Sequence, residues 1–69
     1  MTEKEWKELC DWVKEKYSNK LTVSDNYITF SDDYGELVFD KAGSIFADSS
    51  IITFCRTPTQ IKAIITNLL

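Results

Sequence analysis

The side chains of this sequence that could perform chemistry include two thiols, Cys10 and Cys55. A cysteine attacks as a thiolate, which a neighbouring histidine or another cation must stabilise, and the sequence contains no histidine. Both cysteines fall among apolar residues at the spacing of a buried face, and a single pair is sparse for the disulfide framework of a small secreted domain. We therefore predict that both are buried free thiols.

Carboxylates form the second group, in two close pairs: Asp32 beside Asp33, and Glu36 four residues before Asp40. Paired carboxylates act as general acid and general base where a pocket drives their pKa values apart. These pairs are expected on a turn and on a solvent-facing strand, which offer no such pocket. The sequence therefore predicts no catalytic residue and no enzyme activity.

The sequence also lacks the ligands and the residue spacing needed to bind a metal ion or a phosphate group. The acidic turns lack the Asp-x-Asp-x-Asp-Gly spacing of a calcium loop, and two cysteines without histidine fall short of the ligands of a structural zinc site. The two glycines, Gly35 and Gly43, are isolated turn residues and do not form a phosphate-binding loop. We predict no metal site and no cofactor.

Length and charge limit the class of protein further. The 69 residues, 43% of them apolar, suffice for one domain over residues 1–69, and the formal net charge is −3. The segment 20–56 holds three basic residues against six acidic ones. Nucleic acids are bound mainly through cations, so the excess of carboxylates favours a basic protein as the partner.

Helices are expected at both ends of the chain. Thr2 with Glu5, and Thr57 with Gln60, have the spacing of capping boxes, and Pro58 occupies the first position of the second helix. Apolar residues recur at helical spacing after each box: Trp6, Leu9, Cys10, Val13 and Tyr17 in the first helix, and Ile61, Ile64, Ile65 and Leu68 in the second.

Short alternating runs between the helices are typical of strands. They cover residues 21–23, 27–30, 36–40, 44–47 and 51–56, and turn residues separate them. Connections this short cannot hold a crossover, so the strands form a four- or five-stranded antiparallel meander. Each helix has one apolar face to bury. We therefore predict an α+β domain in which both helices cover one face of the sheet and leave the other in water.

That solvent-facing side is the predicted binding surface. Strand alternation places Tyr27, Glu36 and Asp40 on it, and a strand rise of about 3.3 Å per residue puts the two carboxylates roughly 13 Å apart. The adjoining turn adds further candidate contact residues: Asp32, Asp33 and Tyr34. We expect a non-catalytic protein-binding module, for example a small acidic inhibitor or adaptor of the phage anti-defence type that occupies a basic groove of a larger protein.

Two other functions stay open. Trp12 projects roughly 115° from the centre of the helical stripe, so it either covers the edge of the core or contacts a partner, and a homodimer through Trp12 or a sheet edge is the first alternative. Single-stranded nucleic-acid binding by Tyr27, Phe46 and Phe54 is the second, and the surrounding acids oppose it. The sequence shows no apolar signal segment and no apolar run of about 20 residues, so we expect a cytoplasmic protein.

Overall fold

The computed structural model of the protein describes residues 1–48, 50–54 and 57–69. Helix α1 spans Glu3–Tyr17 and helix α2 spans Pro58–Leu68. Five strands lie between them: β1 Leu21–Val23, β2 Tyr27–Asp32, β3 Gly35–Asp40, β4 Ser44–Ala47 and β5 Ser50–Phe54. The strands form one sheet in the order β1-β2-β3-β4-β5, and every neighbouring pair is antiparallel. The predicted α+β class with a meander between two helices is confirmed.

Both capping boxes form as the sequence pattern predicts. The Thr2 hydroxyl accepts from the Glu5 amide at 3.1 Å, and the Glu5 carboxylate accepts from the Thr2 amide at 2.8 Å. The same pair of bonds joins Thr57 and Gln60, at 3.3 and 3.2 Å. These bonds satisfy amide groups that the first turn of a helix leaves without an intrahelical acceptor, which is why each helix begins where it does.

The hydrophobic core lies between the helices and one face of the sheet, which we call the inner face. The inner face contributes one buried residue from each of the first four strands: Leu21, Ile28, Phe39 and Ile45. The buried residues of both helices belong to the same cluster: Trp6, Leu9, Cys10 and Val13 from α1, and Ile61 and Ile65 from α2. Strand register places the four sheet residues on a single face, so both helices pack over that face.

The register of the last strand differs from the simple alternation of the others. Ile45 lies opposite Thr53 and Phe46 lies opposite Ile51, so β5 carries one additional residue, Ile52, at a β-bulge. The sequence predicted a strand over 51–56, whereas β5 runs from Ser50 to Phe54. Positions 55 and 56 lie outside the described residues, and so does the prediction that Cys55 is buried.

Close approach explains one of the two glycines. A Cβ at Gly35 would lie 2.9 Å from Oδ1 of Asp48, which accepts a hydrogen bond from the Glu36 amide at 3.0 Å. Asp48 itself has a φ of 50°, a conformation that aspartate tolerates better than most residues. The Asp48 carboxylate thus links the end of β4 to the start of β3, and a side chain at Gly35 would displace it from this position.

Candidate functional site: the outer face of the sheet

Neither helix of the described residues packs on the opposite side of the sheet, which we call the outer face. Strand register brings together direct neighbours on this face: Tyr27 with Asp40, Thr29 with Val38, Ser31 with Glu36, Val38 with Phe46, Phe46 with Ile51, and Ser44 with Phe54. None of these residues belongs to the core cluster of the described chain. The outer face therefore presents side chains that the domain does not use to build its core.

The two predicted carboxylates of β3 both lie on the outer face, and their surroundings differ. Glu36 is exposed, and its carboxylate accepts a long hydrogen bond of 3.4 Å from the Ser31 hydroxyl. Asp40 is half-buried, and its Oδ1 accepts from the Ser44 amide at 2.8 Å, which closes the turn between β3 and β4. Glu36 is consequently the carboxylate with more freedom to meet a partner, while Asp40 also has a structural role.

Apolar side chains occupy the other half of the outer face, on β4 and β5. Phe54 is 66% exposed and Ile51 is 55% exposed, and Phe46 lies half-buried beside them. Tyr27, Glu36, Val38 and Phe46 line a shallow depression where the acidic and apolar halves meet. The outer face thus combines carboxylates on β3 with an uncovered apolar patch on β4 and β5.

The turn between β2 and β3 contributes less to this surface than its composition suggests. Oδ1 of Asp32 accepts from the amides of Tyr34 and Gly35, at 2.8 and 3.0 Å, so this carboxylate stabilises its own turn. Asp33 is exposed, and Tyr34 at the tip is 96% exposed. Asp33 and Tyr34 are therefore placed where a partner could reach them at one end of the sheet.

Trp12 belongs to a different part of the molecule. It is half-buried against the core, with its ring edge-to-face with Tyr17 at a centroid distance of 5.4 Å. The Lys62 ammonium of α2 lies 5.5 Å from the centroid of the Trp12 ring, a cation–π contact between the two helices. The structure places Trp12 in the helical layer, so it does not share a surface with Glu36 and Asp40.

The one thiol within the described chain has the surroundings of a core residue. Cys10 is a buried free cysteine, as the sequence predicts. Burial raises the pKa of the Cys10 thiol, and this effect outweighs the opposing influence of the Lys14 ammonium. A thiol that holds its proton more tightly is a poor nucleophile. The described residues also contain no group of three or more thiol or carboxylate side chains placed to hold a metal ion.

The sequence pattern singled out Phe54 of strand β5 and left a sheet edge open as a dimer contact, but it did not identify β5 as that edge. Its composition is mostly apolar, yet Ile51, Ile52 and Phe54 are all more than half exposed. The signal that could have identified it is position: the last strand of a meander is an edge strand, with no neighbour on one side. Composition alone does not distinguish an edge strand from a central one.

The fold and this surface define a small α+β domain with one covered and one uncovered sheet face. Comparison of the chain with family models, curated proteins and solved structures gives no match. Among the described residues, neither helix combines the length and apolar character needed to cross a bilayer.

Proposed function

We propose that this chain is a non-catalytic protein-binding module whose outer face docks on a basic surface of a larger protein. The observation that carries the proposal is the composition of that face. Within the described chain it holds two carboxylates, Glu36 and Asp40, and no cation, beside an apolar patch that nothing covers.

The two halves of the outer face would make different contributions to binding. The carboxylates attract a cationic surface and increase the rate of association, an effect that salt screens. The apolar side chains Phe46, Ile51 and Phe54 supply area that becomes buried in the complex, and large side chains near the centre of an interface contribute most of its affinity. The expected partner surface therefore combines lysine or arginine with exposed apolar residues.

An inhibitor or adaptor is the role that this surface suits best. A small acidic domain can occupy a groove in which lysine and arginine normally contact nucleic-acid phosphates, because its carboxylates take the place of the phosphates. A phage-type protein directed against a nucleic-acid-binding defence enzyme would act in this way. The support for this role is electrostatic complementarity together with the uncovered apolar patch.

A titration with a cationic amphipathic helical peptide built from lysine and leucine tests the proposal. Two-dimensional NMR should show the largest shifts at amides of the outer face, around Glu36, Val38 and Phe46. In Glu36→Lys we expect the association rate at low salt to fall by about tenfold. Glu15→Lys makes the same change of charge on the exposed face of α1 and should alter the rate by less than about twofold.

Two outcomes would contradict the proposal. The first is a set of shifts confined to α1, and the second is an equal loss of binding in Glu36→Lys and Glu15→Lys. A single-stranded oligonucleotide serves as the negative probe, because the carboxylates of Glu36 and Asp40 repel phosphates. Salt-dependent binding of the oligonucleotide to the outer face would favour a nucleic-acid-binding function instead.

A further inference from the structure

The two edge strands of the sheet are protected to very different degrees. Strand β1 has three residues, and the indole N–H of Trp6 in α1 donates to the Asp25 carbonyl just beyond it at 2.9 Å. Strand β5 has five residues, and all five are exposed. Its segment Ser50–Phe54 contains no charged residue and no proline.

An edge strand with unpaired amide and carbonyl groups is a template for another strand. Proteins usually prevent such pairing with a short edge, a charge, a proline, a bulge or a covering element. Strand β1 is short and lies beside α1, whereas the bulge at Ile52 is the only such protection that the described residues give β5. The side chains beside that open edge are Ile51, Ile52 and Phe54, so pairing would also bury apolar surface.

We propose that β5 pairs in antiparallel orientation with β5 of a second copy of this chain, so that the two sheets join into one. A two-fold axis places each residue of the strand near a residue of the same strand. Because Ser50–Phe54 is uncharged, this arrangement brings no like charges together at the new edge. Two copies of β5 can therefore pair without electrostatic repulsion, whereas two copies of a charged edge strand would repel each other.

Charge also argues for a second copy and against a basic partner at this edge. The outer-face carboxylates Glu36 and Asp40 lie on β3, two strands away from β5, a distance of about 10 Å across the sheet. A cationic strand gains little attraction at β5 and more at β3. An uncharged apolar strand is the better match for β5, and β5 itself has that composition.

The size of the interface sets the expected strength of the dimer. Stable dimers bury about 800 Å² per partner, and a five-residue edge with three large apolar side chains supplies on the order of half of that area. We therefore expect a dimer that dissociates in the micromolar range. Its two outer faces would form one continuous surface, since joined sheets extend in the same layer.

Sedimentation velocity between about 1 µM and about 200 µM tests the proposal, because a small interface dissociates within that range. The average mass should rise with concentration from 8.0 kDa toward twice that value. Ile52→Lys places like charges at the shared edge, and we expect its dissociation constant to increase at least about tenfold. Tyr34→Lys adds the same charge at a fully exposed turn and should leave the mass profile unchanged.

Hydrogen exchange of the wild-type chain provides a second measurement that does not depend on the folding of a variant. Amides of β5 should become more protected as the concentration rises, while those of β1 should not change. A constant mass of 8.0 kDa would overturn the proposal. So would a dimer whose concentration-dependent protection maps to the helices, or equal effects of Ile52→Lys and Tyr34→Lys.

The dimer edge and the outer face share Ile51 and Phe54, but each also has a residue of its own, Ile52 and Glu36, through which the two proposals can be tested separately. Glu36→Lys should weaken binding of the cationic peptide and leave dimerisation intact, because Glu36 lies two strands from the β5 edge. Ile52→Lys should move the rise in mass to at least about tenfold higher concentration and retain peptide binding at low protein concentration. Loss of both properties in both variants would show that dimerisation and peptide binding are not independent.

Discussion

The two faces of one strand, β3, show how differently the sheet uses alternate residues. On the inner face, Phe39 is fully buried beneath the helices. On the outer face, Glu36 is exposed and Val38 is half-buried beside aromatic side chains. A strand whose side chains alternate in direction can thus serve a core and a binding surface with the same backbone. Stability therefore resides on one side of this sheet and recognition, as proposed, on the other.

The largest expected difference between the faces comes from matched phenylalanine truncations. Phe39→Ala removes a fully buried ring and should lower the free energy of unfolding by about 3–5 kcal/mol. Phe54→Ala removes a ring that is 66% exposed and should cost less than about 1 kcal/mol. Urea denaturation at about 1 µM protein, where dimerisation contributes little, measures both changes. Equal costs would mean that the outer face also holds the fold together.

A smaller change tests the same contrast without emptying a large volume. Ile28→Val removes one methylene group from the inner face and should cost about 0.5–1.5 kcal/mol. Ile51→Val makes the same change on the outer face and should stay within about 0.5 kcal/mol of the wild type. Thermal and urea unfolding of the two variants measure the free-energy cost of each change. A larger cost at Ile51 than at Ile28 would reverse the assignment of the faces.

The smallest expected effect is a pH dependence of the stability that arises from the Cys10 thiol in the core. Burial raises the pKa of the Cys10 thiol in the folded chain, so the folded state keeps this proton at pH values where the unfolded chain loses it. The resulting stability is complete below the thiol pKa of the unfolded chain. It is lost as the pH rises from about 8.5, the ordinary pKa of a thiol, through the raised pKa of the folded state.

Comparison of the wild type with Cys10→Ala isolates this effect. Both chains should lose stability at alkaline pH as other groups titrate, and the wild type should lose it more steeply. Urea midpoints measured at several pH values above neutrality give the two slopes. Parallel slopes would show that the thiol titrates alike in the folded and unfolded chains.

Local patterns predicted most of the fold because the interactions involved are local. The capping boxes at Thr2 and Thr57 depend on residues three positions apart, and both form as expected. The side of each strand that faces the core followed from alternation in β2 and β3, where Ile28 and Phe39 are buried. The predicted limits of β2 and β5 were less accurate, because hairpin pairing extends β2 to Asp32 and begins β5 at Ser50.

The candidate site was predictable only in part. Alternation placed Tyr27, Glu36 and Asp40 on a common face, and strand register puts them there. It could not show that the Asp32 carboxylate accepts from two amides of its own turn, or that Asp40 accepts from the Ser44 amide. Those bonds depend on the path of the backbone, which determines whether a carboxylate faces water or its own turn.

The sequence by itself determined the elements, their order and the single short-turn topology, since capping, periodicity and turn chemistry act over a few residues. Only the tertiary structure decided which apolar residues remain outside the core. Burial requires a neighbouring element, and β5 is the last strand, with no further strand beside it in the part of the chain that the structure describes. Ile51, Ile52 and Phe54 therefore stay exposed although their chemistry is that of a core.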